Sequence, residues 1–293
     1  MPEAGDYLLT HVGFSKKEEP TLLLRRGDEL IAVQPLGHTM TLSFDKSQRY
    51  CTGWYDMRAG QSHPCPDSMM IGEKYEQCPP CQQRTGFNPA FYHANSVSAQ
   101  QEERNLEPHF LYLAHFADGL VKVGISHAAR GRARLLEQGA RSALILETFP
   151  TAHIARQYEA QIAALPNIAE TLLLRKKIGA LSNTYTTKQA AKELMDTQQR
   201  VEAALSKTFS QNDLYHLDDT FFPTIRPDFD DAYETSHLNM VSGRAVGMLG
   251  CLLFCIQQDT PVFLPLKKYT GYTVTIANTE VPIELPARQI SLF

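Results

Sequence analysis

Residues 110–162 decide how this chain is read. They hold Tyr112, then Val121-Lys122-Val123-Gly124-Ile125-Ser126, then Arg132, and finally Ala155-Arg156-Gln157-Tyr158-Glu159. Two apolar runs, 110–114 and 120–125, flank Ala117-Asp118-Gly119, which signals a hairpin. Helical patterns follow at 128–138, ending at Gly139, and at 151–164, ending before Pro166. An aromatic hydroxyl, a glycine turn after a β-rich run, an arginine on the next helix and a later helical glutamate are the parts that phosphodiester cleavage needs. A hydroxyl or base prepares water, a guanidinium neutralises the phosphate, and a carboxylate holds a divalent metal. Residues 109–178 carry nine Lys/Arg against five Asp/Glu within a chain of net charge −4. One phosphate-binding face in an acidic molecule has that signature, and so does a solvated helix face.

Tyr112, Lys122-Val123-Gly124, Arg132 and Ala155-x-x-x-Glu159-x-x-Ile162 together resemble the GIY-YIG nuclease core. The resemblance implies that Tyr112 activates or orients water, Arg132 stabilises the phosphate and Glu159 binds Mg or Mn. Gly124, which matches the glycine of the second motif, and Arg130 and Arg134 are the candidate substrate contacts. Lys122 stands where the second motif has tyrosine; it can contact phosphate but is a poorer proton shuttle, and His127 is the candidate replacement base. More widely, Cys51-Thr52-Gly53-Trp54, Gln77-Cys78-Pro79-Pro80-Cys81 and Leu135-Leu136-Glu137-Gln138-Gly139-Ala140 resemble the prokaryotic domain-of-unknown-function family 2797 over most of residues 20–280. That second resemblance brings no established activity.

Outward from the core, Cys51, Cys65, Cys78 and Cys81 fall within one short Cys/Pro/Gly-rich segment. Cys78-Pro79-Pro80-Cys81 is a knuckle able to offer two thiolates to one metal, and Cys51 and Cys65 complete a structural zinc site. His63 is the main substitute ligand; a redox C-x-x-C and unconnected thiols are the competing readings. Cys251 and Cys255, in an apolar run, read as buried core thiols.

The expected fold is α+β, with β-rich N- and C-terminal segments, a four-cysteine zinc-ribbon-like insert and a central GIY-YIG-like α/β core. The expected boundaries are 1–50 (β-rich), 51–93 (zinc), 94–108 (a linker or a short exposed helix), 109–180 (core), 181–236 (helical and irregular), 237–286 (a small barrel, with bends at Gly243, Gly247 and Gly250) and 287–293 (tail). Thr186 or Thr187 caps a helix spanning 186–208. The tail Gln289-Ile290-Ser291-Leu292-Phe293 resembles the pentapeptide by which bacterial repair and replication proteins bind the β sliding clamp, with Leu292 and Phe293 as apolar anchors and Gln289 as a polar contact.

No run of some eighteen apolar residues is present, so no membrane span is expected. The cysteines read in a reducing cytoplasm, with the protein nucleoid-associated. Three readings of function follow. The leading one is a zinc-stabilised, metal-dependent DNA-cleaving protein recruited by the clamp. The second is a non-catalytic adaptor that binds DNA structure. The third is an RNA- or small-molecule-binding zinc protein with an accidental tail.

Overall fold

The structure, a computed structural model, describes residues 1–87 and 97–285. The expected clamp peptide, Gln289 to Phe293, lies outside them. The chain begins with four strands, β1 (Gly5–Phe14), β2 (Pro20–Arg26), β3 (Glu29–Val33) and β4 (Thr39–Arg49). A short hairpin, β5 (Trp54–Asp56) and β6 (Gln61–His63), then leads to helix α1 (Pro79–Thr85), and α2 (Ala99–Asn105) follows. The centre comprises β7 (His109–Ala117), β8 (Leu120–His127), α3 (Ala133–Gln138), β9 (Ser142–Phe149), α4 (Ala152–Ala163), β10 (Ile168–Ala169), α5 (Leu174–Gly179), α6 (Thr187–Leu205), β11 (Asp213–His216) and α7 (Asp218–Phe221). The last strands are β12 (Tyr233–Glu234), β13 (Met240–Leu249), β14 (Leu252–Gln257), β15 (Thr260–Pro265) and β16 (Tyr272–Ala277).

The central strands form a five-stranded sheet ordered β10-β8-β7-β9-β11. All of β7 is buried, and the two-residue alternation of a strand sends its side chains to two different cores. Leu111 and Leu113 pack with Ala155 and Ile162 of α4 and with Leu194 and Val201 of α6. Phe110, Tyr112, Ala114 and Phe116 join a larger cluster that includes Leu9, Phe14, Leu253 and Phe254. Each buried aliphatic side chain contributes about 2 kcal/mol by leaving water.

The terminal β segments are not two units. They interleave in one nine-stranded sheet ordered β12-β15-β14-β13-β4-β16-β1-β2-β3. This replaces the expected C-terminal barrel: the strands find partners at the other end of the chain instead of closing on themselves. Gly243 does mark a close approach, since a Cβ there would stand 2.4 Å from the Ile256 carbonyl oxygen. The cap of α3 presses on the β13–β14 turn, where a Cβ on Gly250 would lie 3.1 Å from Gly139.

One local expectation shifts. Residues 128–138 do not form one helix: a single 3₁₀ turn over Ala128–Arg130 stops at Gly131, and α3 starts afresh. Of the two readings of 94–108 the short helix forms, as α2, capped by the Ser98 hydroxyl accepting from the Gln101 N–H. Helix α6 starts as expected, with Thr186 and Gln189 closing a reciprocal capping box. Among the described residues no helix is long and apolar enough to cross a membrane.

Candidate metal centre and the nuclease-like core

The four cysteines converge. Their sulfurs all lie within 4.8 Å of one another, each residue is buried, and none forms a disulfide. Tetrahedral zinc with bonds of about 2.3 Å sets its sulfurs about 3.8 Å apart; Cys65 and Cys78 stand 3.9 Å apart. Cys78 caps α1, with Pro79 in the first turn, so the helix start presents Cys78 and Cys81 to the same point. Gly53 sustains the opposite side: its φ is +92°, and a Cβ would fall 2.0 Å from the His63 carbonyl oxygen. The Cys78 N–H donates to the Cys51 sulfur at 3.1 Å and the Gly53 N–H at 3.4 Å, the arrangement that stabilises a thiolate. Burial pushes the Cys51 and Cys81 thiols up. At Cys65 burial is outweighed by N–H donors from Met69 and Asp67, which hold it down. Four buried thiols without a cation leave this segment with little else at its centre; among the described residues, the partly buried hydrophobics Trp54 and Ile71 pack around them. A metal such as zinc fits the donor set, with thiolates as ligands. His63 stacks on Trp54 with ring centroids 4.2 Å apart, so it packs beside the site and is not in the four-sulfur set.

The insert is fastened to both neighbours. The Ile71 N–H donates to the Arg49 carbonyl at the end of β4 at 2.9 Å, and Lys267 reaches Glu76 at 2.9 Å. Arg58 forms a two-pronged pair with Glu103 of α2, at 2.7 and 2.6 Å.

In the core, Tyr112 and Gly124 are direct cross-strand partners. The Tyr112 ring lies across the glycine: a Cβ there would meet the hydroxyl at 2.5 Å and the ring at 2.6 Å. Glycine is required at 124 because no other residue leaves room for that ring. The Tyr112 hydroxyl is buried without a hydrogen-bond partner. Burial raises its pKa, Arg134 and Arg130 act against the rise, and Glu159 adds to it. Lys122 is 8% exposed. Its ammonium donates to the Val123 carbonyl at 2.9 Å and to the Glu170 carbonyl. Burial lowers its pKa against the opposing pull of Glu159. Glu159, on α4, is also buried and pairs with Arg156, which in turn reaches Glu170. Burial raises the Glu159 pKa, and Arg156 and Lys122 limit the rise.

Glu159 therefore acts on both Tyr112 and Lys122, and Arg134 acts on the same two. Arg132 does not join them. It caps α3, turns its guanidinium to Glu18 in the β1–β2 turn (2.7 Å, Nε to Oε1) and lies over the Tyr215 ring. Arg130 pairs with Glu137. His127 is engaged by Glu107, and its Nδ1 accepts from the Ala129 N–H at 3.2 Å. It pairs with His109, three residues along each strand from the Tyr112–Gly124 pair. The arginine facing the tyrosine is thus Arg134, two residues beyond the expected one. The break at Gly131 was the signal, because it resets the helical phase that the spacing had counted through. Arg156 and Glu170 escaped notice because their role is to neutralise and anchor other residues. Of the two remaining thiols, Cys255 is buried as expected, whereas Cys251 is only partly covered.

The protein is thus an α+β molecule with four buried, converging thiols able to hold a metal and a central sheet that carries Tyr112 and Lys122. It belongs to DUF2797, a family of proteins of unknown function, which it matches over residues 37–274. No curated protein and no solved structure matches the chain.

Proposed function

We propose that this protein is a metal-stabilised, nucleic-acid-binding adaptor in which a GIY-YIG-like core recognises phosphate-bearing structure without cutting it, brought to DNA by a clamp-binding C-terminal peptide. One observation carries the reading. Glu159, the carboxylate a catalytic Mg or Mn would require, is buried and already neutralised by Arg156. A catalytic cation would have to displace from that carboxylate an arginine that Glu170 also holds in place. The Tyr112 hydroxyl, moreover, sits in the core shared with the nine-stranded sheet, out of reach of attacking water. Arg130 and Arg134, both partly exposed, supply the electrostatics for binding phosphate.

Gathering of Tyr112, Lys122, Arg134 and Glu159 favours cleavage as the second reading, and one experiment separates the two. The full-length, zinc-loaded protein is incubated with branched, nicked and duplex DNA in Mg or Mn. The adaptor reading expects salt-sensitive, structure-selective binding and no product. Metal-dependent product that disappears in Glu159→Ala and in Arg134→Ala would establish the nuclease instead. Recruitment is tested by capture on the purified β clamp, retained by the full chain and lost on truncation before Gln289.

A further inference from the structure

At the far end of the central sheet, away from the Tyr112 cluster, a second polar group lies beneath the loop joining α5 to α6. His115, Ser142 and His216 are cross-strand partners on β7, β9 and β11. Ser142 shares a hydrogen bond with His216 Nδ1 at 3.1 Å. His115 Nε2 meets the Glu193 carboxylate of α6 at 2.9 Å, and that carboxylate also accepts from the Gly119 N–H. Arg141, just before β9, forms a two-pronged pair with Asp218 (3.0 and 2.8 Å). Tyr185, from the loop, stands edge-on to the His115 ring at 4.7 Å, and the Arg141 guanidinium lies over the tyrosine ring at 4.4 Å.

Three buried polar atoms here have no partner: His115 Nδ1, Arg141 Nη1 and the Tyr185 hydroxyl. His115 is 1% and Arg141 4% exposed. An unpaired buried polar atom costs about 1–3 kcal/mol, so three from three touching residues is not a random defect. Both carboxylates hold their partners from behind, Glu193 the imidazole and Asp218 the guanidinium, as outer groups do when the inner faces are kept for a ligand. Arg141 Nη1 can only donate, a phenol donates readily, and Nδ1 donates once the imidazole is protonated. Arg141 also borders a neighbouring cavity of about 50 Å³ with Phe116, Leu181 and Lys177, which His115 and Tyr185 do not line.

We propose that Arg141, Tyr185 and His115 form a binding site for a small oxyanion, of the carboxylate or inorganic phosphate type, closed by the 182–186 loop. Without the ion the charges roughly balance, Arg141 and Arg226 against Asp218 and Glu193. Entry of an anion is then accompanied by a proton on His115. Burial and Arg141 hold that imidazole's pKa down, while Glu193 and Asp118 oppose them; Tyr185, Ser142 and His216 complete its surroundings. Affinity therefore falls as pH rises.

Calorimetric titration of the zinc-loaded full-length protein with acetate and, separately, with inorganic phosphate tests the site and distinguishes the two ions. Saturable binding of at least one ion, tighter at pH 6 than at pH 8 and coupled to proton uptake, is expected. Tyr185→Phe keeps the ring and removes one donor. It is expected to weaken binding roughly tenfold, the worth of a charge-assisted hydrogen bond. In anion-free buffer the same variant melts no lower than wild type, because its lost hydroxyl had no partner, and this separates binding from structure. His115→Gln abolishes the pH dependence. Absence of saturable binding by both ions, or binding indifferent to Tyr185→Phe, would overturn the proposal and leave the three atoms to solvent.

Discussion

The cysteine insert and the central sheet both carry sequence motifs, yet they are built in opposite ways. In the insert four like groups face one another with nothing between them but the sulfurs' own demand for a cation. In the core each charged group has been assigned to a neighbour: Glu159 to Arg156, Arg132 to Glu18, His127 to Glu107, and Lys122 to two carbonyls. The first arrangement calls for a cation to balance it; the second is satisfied without one. A motif therefore reports chemistry only when its groups are left unmatched by the fold, and the two regions answer that test differently.

The sharpest way to break this contrast is to remove the insert's metal. Chelation, or Cys78→Ser with Cys81→Ser, is expected to unfold residues 51–87, because binding energy at such sites is folding energy of about 10 kcal/mol or more. Metal analysis should find one zinc per chain, and melting should show a large fall. A chain that melts unchanged after complete chelation places the insert in the same class as the core. Next in size, Arg156→Ala strands a buried carboxylate and is expected to cost about 3 kcal/mol. Arg156→Met with Glu159→Leu should recover most of that loss by denaturant melts; failure to recover it means the pair does more than neutralise. Gly124→Ala drives a methyl into the Tyr112 ring and should cost about 1–3 kcal/mol, partly relieved by Tyr112→Leu.

The smallest effect concerns Lys177, whose pKa is lowered by burial to about 8. A lowered folded pKa makes the charged amine an unfavourable guest. Its contribution to stability is therefore present above the unfolded value near 10.5 and lost as pH falls through about 8. Lys177→Met should gain on wild type between pH 9.5 and pH 7, measured by denaturant melts at both. An equal gap at the two pH values means that Lys177 is charged in the folded protein throughout.

How much of this was legible in the sequence depended on distance along the chain. The four cysteines fall within 31 residues, and their knuckle, proline and glycines dictate their own geometry. The Thr186 cap and the Tyr112–Gly124 partnership were equally local, the latter fixed by a tight hairpin. Arg132 was misplaced because its partner Glu18 lies 114 residues away and because Gly131 shifts the helix phase. The barrel was misread for the same reason: alternation along β13 to β16 reveals a strand and its buried face, and leaves the identity of the neighbour undetermined. Within residues 94–108, a linker and a short exposed helix read alike because a polar seven-residue helix has no apolar stripe; α2 forms there, with Glu103 and Arg104 fixed by the insert.

Strand β4 lies between β13 and β16, so neither of its edges touches anything made before it. It ends at Arg49, and β13 starts at Met240. During synthesis at roughly 5–20 residues per second, β4 waits on the order of 10–40 s with both edges bare, while the insert and the core fold at the ribosome. For that interval the nascent chain carries a sticky strand, and Asp45 and Lys46 supply charges toward its end, where charge opposes edge-to-edge pairing. The order of assembly makes this a protein whose birth, more than its finished state, calls for a chaperone.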